Sequence, residues 1–415
     1  MSASDGLGAG EIDPPQRLLM GPGPANAHPR VLRAMSAQLL GQFDPEFTDY
    51  MNETMALYRQ VFQTQNRQTF LIDGTARAAI EAALISVLAP GDVCLVASHG
   101  RFGALLTEIA ERCGAVVHVV SAPWGEVVPM AKLAEAAAAV KPRLIACVHG
   151  DTSTTMAQPL EGLGEVARQC GALSFVDATA TLAGMPTPVD AWGADIVSAG
   201  LQKCLGGPSG IAPITISDRA AEHIFSRRHV ELGLAAGGPS GNGPRIASNY
   251  FDLAMIMDYW SERRLNHHTE STTLLYGARE CARLVLAEGL EARFARHAAA
   301  GRAMTAGVEA MGLTVYGDRA HKMTNVTGVY IPEGVDGERV RARMRVDFGI
   351  EIGSSFGPLH GKIWRLGAMG YNCTKPNVLN TLGALEAVLR TEGVALPSGQ
   401  AVDAALAVFG SGIAA

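Results

Sequence analysis

Between residues 67 and 217, short apolar runs alternate with longer stretches of mixed polarity. The runs TFLI (69–72), DVCLVAS (92–98), AVVHVV (115–120), RLIACVH (143–149), LSFVD (173–177), DIVSAG (195–200) and IAPITIS (211–217) predict seven strands. Residues 75–88, 102–112, 131–140 and 159–169 read as helices between them. Such alternation predicts an α/β fold around a mostly parallel sheet covered on both faces. Sheets of that kind bind ligands at the carboxyl ends of their strands. Polar motifs stand there: DGTAR after 69–72, SHGRFG after 92–98, HGDTST after 143–149, and VDAT closing 173–177.

The pattern then changes. Residues 234–245, LAAGGPSGNGPR, read as a surface loop rich in glycine and proline. An amphipathic helix is predicted over 271–290. From about 313, LTVYG, TNVTGVYIP, VRARMRVDFGIEIGSS and KIWRLGAMG, followed by a helix near 376–392, predict a small α+β domain. The expected organisation is an arm over 1–16, a large domain over 17–280, a small domain over 281–400 and a tail over 401–415. A chain of 415 residues has room for two such domains.

Composition narrows the function classes. Charged residues make up 18% and the net charge is −6, with no run of lysine or arginine. This argues against nucleic acid or an anionic membrane as partner. The seven cysteines show no metal or redox spacing and read as buried apolar residues in a reducing compartment. No metal site is expected. The first residues, MSASDGLGAGEIDPPQ, lack the basic start and apolar centre of a signal peptide, and no apolar run is long enough to span a bilayer. A cytoplasmic location is expected.

One lysine stands out. In SAGLQKCLGGPSG (198–210), Lys203 is the only charge among small residues. It reads as a surface lysine, a phosphate clamp or a nucleophilic amine. DGTARAAIEAAL opens a helix where free N–H groups and the helix dipole favour a phosphate, with Thr75 and Arg77 at hand, although Gly-Thr helix starts are also common caps. Asp177 ends a buried strand, as a helix cap or as partner to a protonated ring. Phe102 could stack on that ring or fill core. Together these residues describe what pyridoxal 5′-phosphate needs.

Their order and spacing resemble the class V aminotransferases of fold type I. The likeness runs from about residue 18 to 392 and is carried by GPGPANAHPRVL, EAALISVLAPGD, HGDTSTTMAQPLEGLGEVAR, VDATATLAGMP, SAGLQKCLGGPSG and RLGAMG. It implies pyridoxal phosphate as cofactor and a homodimer with active sites at the interface. It makes Lys203 the Schiff-base lysine, with Gln202 beside it, and Asp177 the partner of the pyridine nitrogen. Phe102 matches the stacking aromatic, and Thr75, Ala76 and Arg77 the phosphate cup. Thr152 matches a hydroxyl near the ring oxygen, and Thr269 a residue reaching the partner's phosphate. Arg365 matches the clamp on the substrate carboxylate, a role suited to a planar fork.

Two positions depart from most of the family. Gln42 stands where many members carry a small residue, and Asn266 where several carry tyrosine. Two carboxamides suit a substrate with both donor and acceptor faces, such as a urea; alternatively Gln42 caps a helix and Asn266 packs at the interface. The pair, with GQFDPEFTDYMNE and NHHTESTTLLYGARE, resembles the ureidoglycine–glyoxylate branch, whose members pass the amino group of (S)-ureidoglycine to glyoxylate in purine breakdown. The alternatives are serine– or alanine–glyoxylate transamination, pyridoxamine–pyruvate transamination, and a non-catalytic cofactor-binding protein.

Overall fold

The computed structural model describes residues 10, 12–233 and 240–411. Parts of the expected arm (1–9 and 11), of the glycine-rich loop (234–239) and of the expected tail (412–415) lie outside the described residues.

Seven strands form the central sheet: β1 (Gln68–Asp73), β2 (Val93–Ser98), β3 (Val116–Ser121), β4 (Leu144–Val148), β5 (Leu173–Asp177), β6 (Ile196–Ser198) and β7 (Ile211–Ile216). Their order is β1-β7-β6-β5-β4-β2-β3. All pairings are parallel except those of β7, which runs antiparallel to β1 and β6. Strands β4 to β7 are buried along their whole length, which is why they read as unbroken apolar runs. Strand β3 lies at the edge, with Val116 and Val119 exposed.

The helices that matter here are α1 (Pro45–Val61), α2 (Ala76–Val87), α3 (Arg101–Arg112), α4 (Met130–Val140), α5 (Leu163–Gln169) and α6 (Thr272–Glu288). Helix α1 starts where Asp44 accepts from Glu46 N at 2.8 Å and Pro45 fits the first turn. The cap is therefore Asp44, not Gln42. A large apolar core runs from Val31 to Val285 across both faces of the sheet.

A second core holds Met20 and residues from Ala300 to Ala405. It packs a three-stranded antiparallel sheet, β8 (Val326–Tyr330), β9 (Gly353–Ser354) and β10 (Ile363–Gly367), against α7 (Leu290–Ala310), α8 (Gly337–Phe348) and α9 (Lys375–Thr391). Helix α6 runs through the boundary expected at residue 280, and its Cys281, Ala282 and Val285 belong to the first core. The N-terminal Leu18–Leu19 pairs in parallel with Ile350–Glu351 of the second unit.

The stretch expected to be a tail is a helix. Helix α10 (Gln400–Ser411) packs on α7 and buries Ala401 and Ala405, one turn apart. Gly307 allows this close approach: a Cβ there would lie 2.9 Å from Ala401 O.

Candidate active site

The polar motifs meet at the carboxyl ends of β1, β2, β4, β5 and β6, above the middle of the sheet. One cleft there is lined by Thr75, Ala76, Arg77, Phe102, Thr152, Asp177, Gln202 and Lys203, together with Thr179. The structure thus gathers eight of the expected site residues around one space.

At one end, β1 stops at Asp73 and the chain turns through Gly74, with φ +126°, into α2. Such a φ favours glycine, and a Cβ on Gly74 would also meet Ala78 Cβ at 2.5 Å. Thr75 is the N-cap but makes no side-chain cap bond, and both it and Arg77 are exposed. An open helix start with a hydroxyl and a guanidinium beside it is an anion cup.

Asp177 closes β5 and is 4% exposed. Its Oδ1 accepts from Thr179 N at 2.8 Å, so it stabilises the turn that follows. Burial raises its carboxyl above the ordinary range, and the bonds to Thr179 oppose that rise.

Lys203 sits in the wide turn Leu201–Leu205, where its own backbone breaks helical geometry (φ −109°, ψ −128°). Its Nζ donates to Pro22 O at 2.5 Å. Gly23 follows with φ +101°, and a Cβ there would fall 2.3 Å from Lys203 Nζ and 2.4 Å from its Cδ. The glycine of GPGP is therefore needed both for its backbone angle and for the passage of the lysine stem. Burial lowers the Lys203 ammonium to about 8, and the Arg365 charge adds to the fall. An amine so placed is a base and nucleophile near neutral pH.

Arg365, on β10, is 5% exposed. Its Nε donates to Ser354 O at 2.5 Å and its Nη1 to Thr152 O at 2.8 Å. The guanidinium lies 4.9 Å from the centre of the Phe356 ring, which Arg101 also approaches at 4.7 Å. Burial lowers Arg365 to about 10 while the Asp151 carboxylate holds it up. Arg365 is not among the residues that line the cleft, but its Nη1 holds Thr152 O at the cleft wall and its charge reaches the Lys203 ammonium.

Sequence reasoning missed Asp151. Fully buried, it accepts from Phe102 N at 2.9 Å, Ser153 N at 2.9 Å and Ser153 Oγ at 2.5 Å. Ser153 Oγ in turn accepts from Arg101 N at 2.9 Å. These two side chains cap α3 from outside it and so hold Phe102 at the cleft. Gly100 makes room, since a Cβ there would touch the Asp151 carboxylate at 2.5 Å. The available signal was an aspartate three residues beyond the buried apolar strand β4.

Gln42, Asn266 and Thr269 lie outside the lining of this cleft. Gln42 Nε2 donates to Asn266 Oδ1 at 2.9 Å, and Gln42 Oε1 accepts from Glu270 N at 3.3 Å. Asn266 and Thr269 are exposed. Two positions distant in the chain thus form one surface pair.

The aminotransferase class-V family model matches residues 17–361. The chain belongs to that family. This aminotransferase is 53% identical to the (S)-ureidoglycine–glyoxylate transaminase of Bacillus subtilis over 97% of each chain. It is 36% identical to the alanine–glyoxylate aminotransferase of Callithrix jacchus, over 91% of this chain and 88% of that one. The crystal structure of the Bacillus subtilis ureidoglycine–glyoxylate aminotransferase superposes with a TM-score of 0.91 at 52% identity, covering 96% of this chain and 100% of that one. The expected fold, a mostly parallel seven-stranded α/β sheet of fold type I, is the observed one. Among the described residues, no helix of this aminotransferase is long and apolar enough to cross a membrane. All seven cysteines are free, five of them buried.

Proposed function

We propose that the enzyme transfers the amino group of (S)-ureidoglycine to glyoxylate, giving N-carbamoyl-2-oxoglycine (oxalurate) and glycine, with pyridoxal 5′-phosphate as cofactor. The observation that carries the donor is the carboxamide pair Gln42–Asn266, joined at 2.9 Å. Each amide keeps free hydrogen-bonding capacity, which suits a ureido group and leaves an alkyl side chain unserved. The likeness to the Bacillus subtilis enzyme of that name supports the same reading.

The residues present fit the cofactor. Gln202 Oε1 is buried at the cleft without a partner, the start of α2 is open to an anion, and Asp177 offers a buried carboxylate. When bound, pyridoxal phosphate supplies an aldehyde that takes up amino groups and a ring that holds the electrons released at Cα.

The chain's own groups do the rest. Thr75, Arg77 and the first amides of α2 bind the phosphate. Asp177 holds a proton on the ring nitrogen, a task for a carboxylate shielded from water. Phe102 orients the ring face. Lys203 Nζ, neutral in part at pH 7–8, removes the proton from the donor Cα and returns it in the reverse half-reaction. Arg365 orients the substrate carboxylate with a charge that burial strengthens. The two half-reactions run in turn, so ping-pong kinetics are expected.

The functional unit in this reading is a homodimer in which Gln42, Asn266 and Thr269 of one copy face the cleft of the other. Their place outside their own cleft supports this, as do the exposed Leu39 and Phe43 beside Gln42. The working location is the cytoplasm.

The test is glycine formation from glyoxylate with fresh (S)-ureidoglycine, serine or alanine as donor. A strong preference for ureidoglycine is expected. A preference for serine or alanine would leave the cofactor roles standing and overturn the donor.

A further inference from the structure

Arg101 opens α3 beside the cleft, and among the described residues its guanidinium makes no hydrogen bond and no ion pair. It lies against two rings instead. Its Cζ is 5.3 Å from the centre of Phe102 and 4.7 Å from the centre of Phe356. Phe102 lines the cleft, and Phe356 is 41% exposed. The same Phe356 ring carries the guanidinium of Arg365 at 4.9 Å. One exposed aromatic therefore joins two cations, the half-buried Arg101 and the buried Arg365.

This placement has a cost and needs a reason. A cation in the first turn of a helix opposes the macrodipole. Two guanidiniums on one ring also repel each other: Arg365 is lowered first by burial and then by the Arg341 and Arg101 charges. Arg341 has Glu338 as its partner. The carboxylate under the start of α3, Asp151, is occupied by Phe102 N, Ser153 N and Ser153 Oγ, so it leaves Arg101 unpaired. Ring faces attract a cation without using its N–H groups, and those of Arg101 stay available to an anion. The chain as a whole carries a net charge of −6 and repels anions at long range. Two guanidiniums at the cleft reverse that field locally.

We infer that Arg101 recruits substrate carboxylates at the rim of the cleft and delivers them to Arg365, with Phe356 as the bridge between the two guanidiniums. The inference rests on the reading of Arg365 as carboxylate clamp. It does not depend on which amino acid is the donor, because amino and keto acids alike carry a carboxylate. Arg101 moves no proton. It acts on binding, so its loss raises KM and spares kcat.

The test is steady-state transamination to glyoxylate by the full-length enzyme with its cofactor bound, with (S)-ureidoglycine and alanine as donors in parallel. Native, Arg101→Gln, Arg101→Lys and Arg365→Met forms are compared at about 20 mM and about 300 mM KCl, a range that screens exposed charges. The amide of residue 101 reaches Ser153 whatever the side chain, so the substitutions should leave α3 capped. In Arg101→Gln the KM for glyoxylate is expected to rise about five- to twentyfold at low salt, with kcat within about twofold of native. Salt should raise the native KM and leave that of Arg101→Gln nearly flat, a response that a merely structural role would not produce. Arg101→Lys should keep the charge, and with it most of the native KM and its salt dependence. An Arg101→Gln KM within about twofold of native beside an impaired Arg365→Met, or equal salt dependence in native and Arg101→Gln, would overturn the inference alone. A native KM in Arg365→Met would overturn the clamp and the inference together. Should Arg101→Gln not fold, Arg101→Lys decides: a salt-dependent KM near native supports recruitment, and a loss of kcat overturns it.

Discussion

Gln42 Nε2 donates to Asn266 Oδ1 at 2.9 Å across a long span of chain. Neither amide caps a helix, since α1 is capped by Asp44. Asn266→Tyr and Gln42→Ser are expected to lower kcat/KM for ureidoglycine by about ten- to a hundredfold, and for alanine far less, because a hydrogen-bonding site discriminates by its unpaired groups. Donor-by-donor kinetics check this. An equal loss for both donors would remove the pair from specificity.

Lys203→Ala is expected to reduce transamination to background while the far-ultraviolet spectrum stays native. The amine makes a hydrogen bond to Pro22 O and is otherwise a buried, partly neutral group, so its loss leaves the core intact. Normal glycine production by the folded variant would refute its role.

Cofactor capture by the apo-enzyme is expected to rise with pH through about 8, where burial sets the Lys203 ammonium. One unit below that midpoint only about a tenth of the amine is neutral. Arg365 lowers this value, so Arg365→Met should move the rise to higher pH. Absorbance-monitored reconstitution from pH 6 to 10 measures both. A flat profile would exclude the neutral amine as the limiting form.

Asp177→Asn retains an acceptor for Thr179 N, so the turn should survive. It removes the charge that holds the ring proton. Loss of roughly 10²- to 10³-fold in kcat is expected, the scale for one preorganised electrostatic group. Steady-state rates at saturating donor give the answer, and a loss under threefold would contradict the assignment.

Gly23→Ala places a methyl group where Lys203 passes and forces alanine to φ +101°. A stability loss of at least about 1 kcal/mol is expected from the backbone alone. Reduced cofactor occupancy should accompany it. Thermal melting and cofactor absorbance report the two effects separately.

Much of this was legible in the chain. The central strands read clearly because a parallel sheet buried on both faces leaves long apolar runs with sharp polar ends. Lys203 and Asp177 were visible as charges out of place in such surroundings. What stayed hidden depends on contacts between distant segments. Asp151 acts on the start of α3 across a turn, and no local pattern marks a cap donated from another strand. Helix α10 is built largely from alanine and small residues, so its buried face is too weak a stripe to separate from a loose end.

The N-terminal strand has one further consequence. Leu18–Leu19 lies along Ile350–Glu351, Met20 O accepts from Gly367 N at 2.7 Å, and Pro22 O then takes the amine of Lys203. The reactive nitrogen is thus leashed by a few residues to the C-terminal sheet that carries Arg365. Any rocking of that sheet tugs the same carbonyl, so the substrate's carboxylate anchor and the amine that works on its Cα are geared to one another.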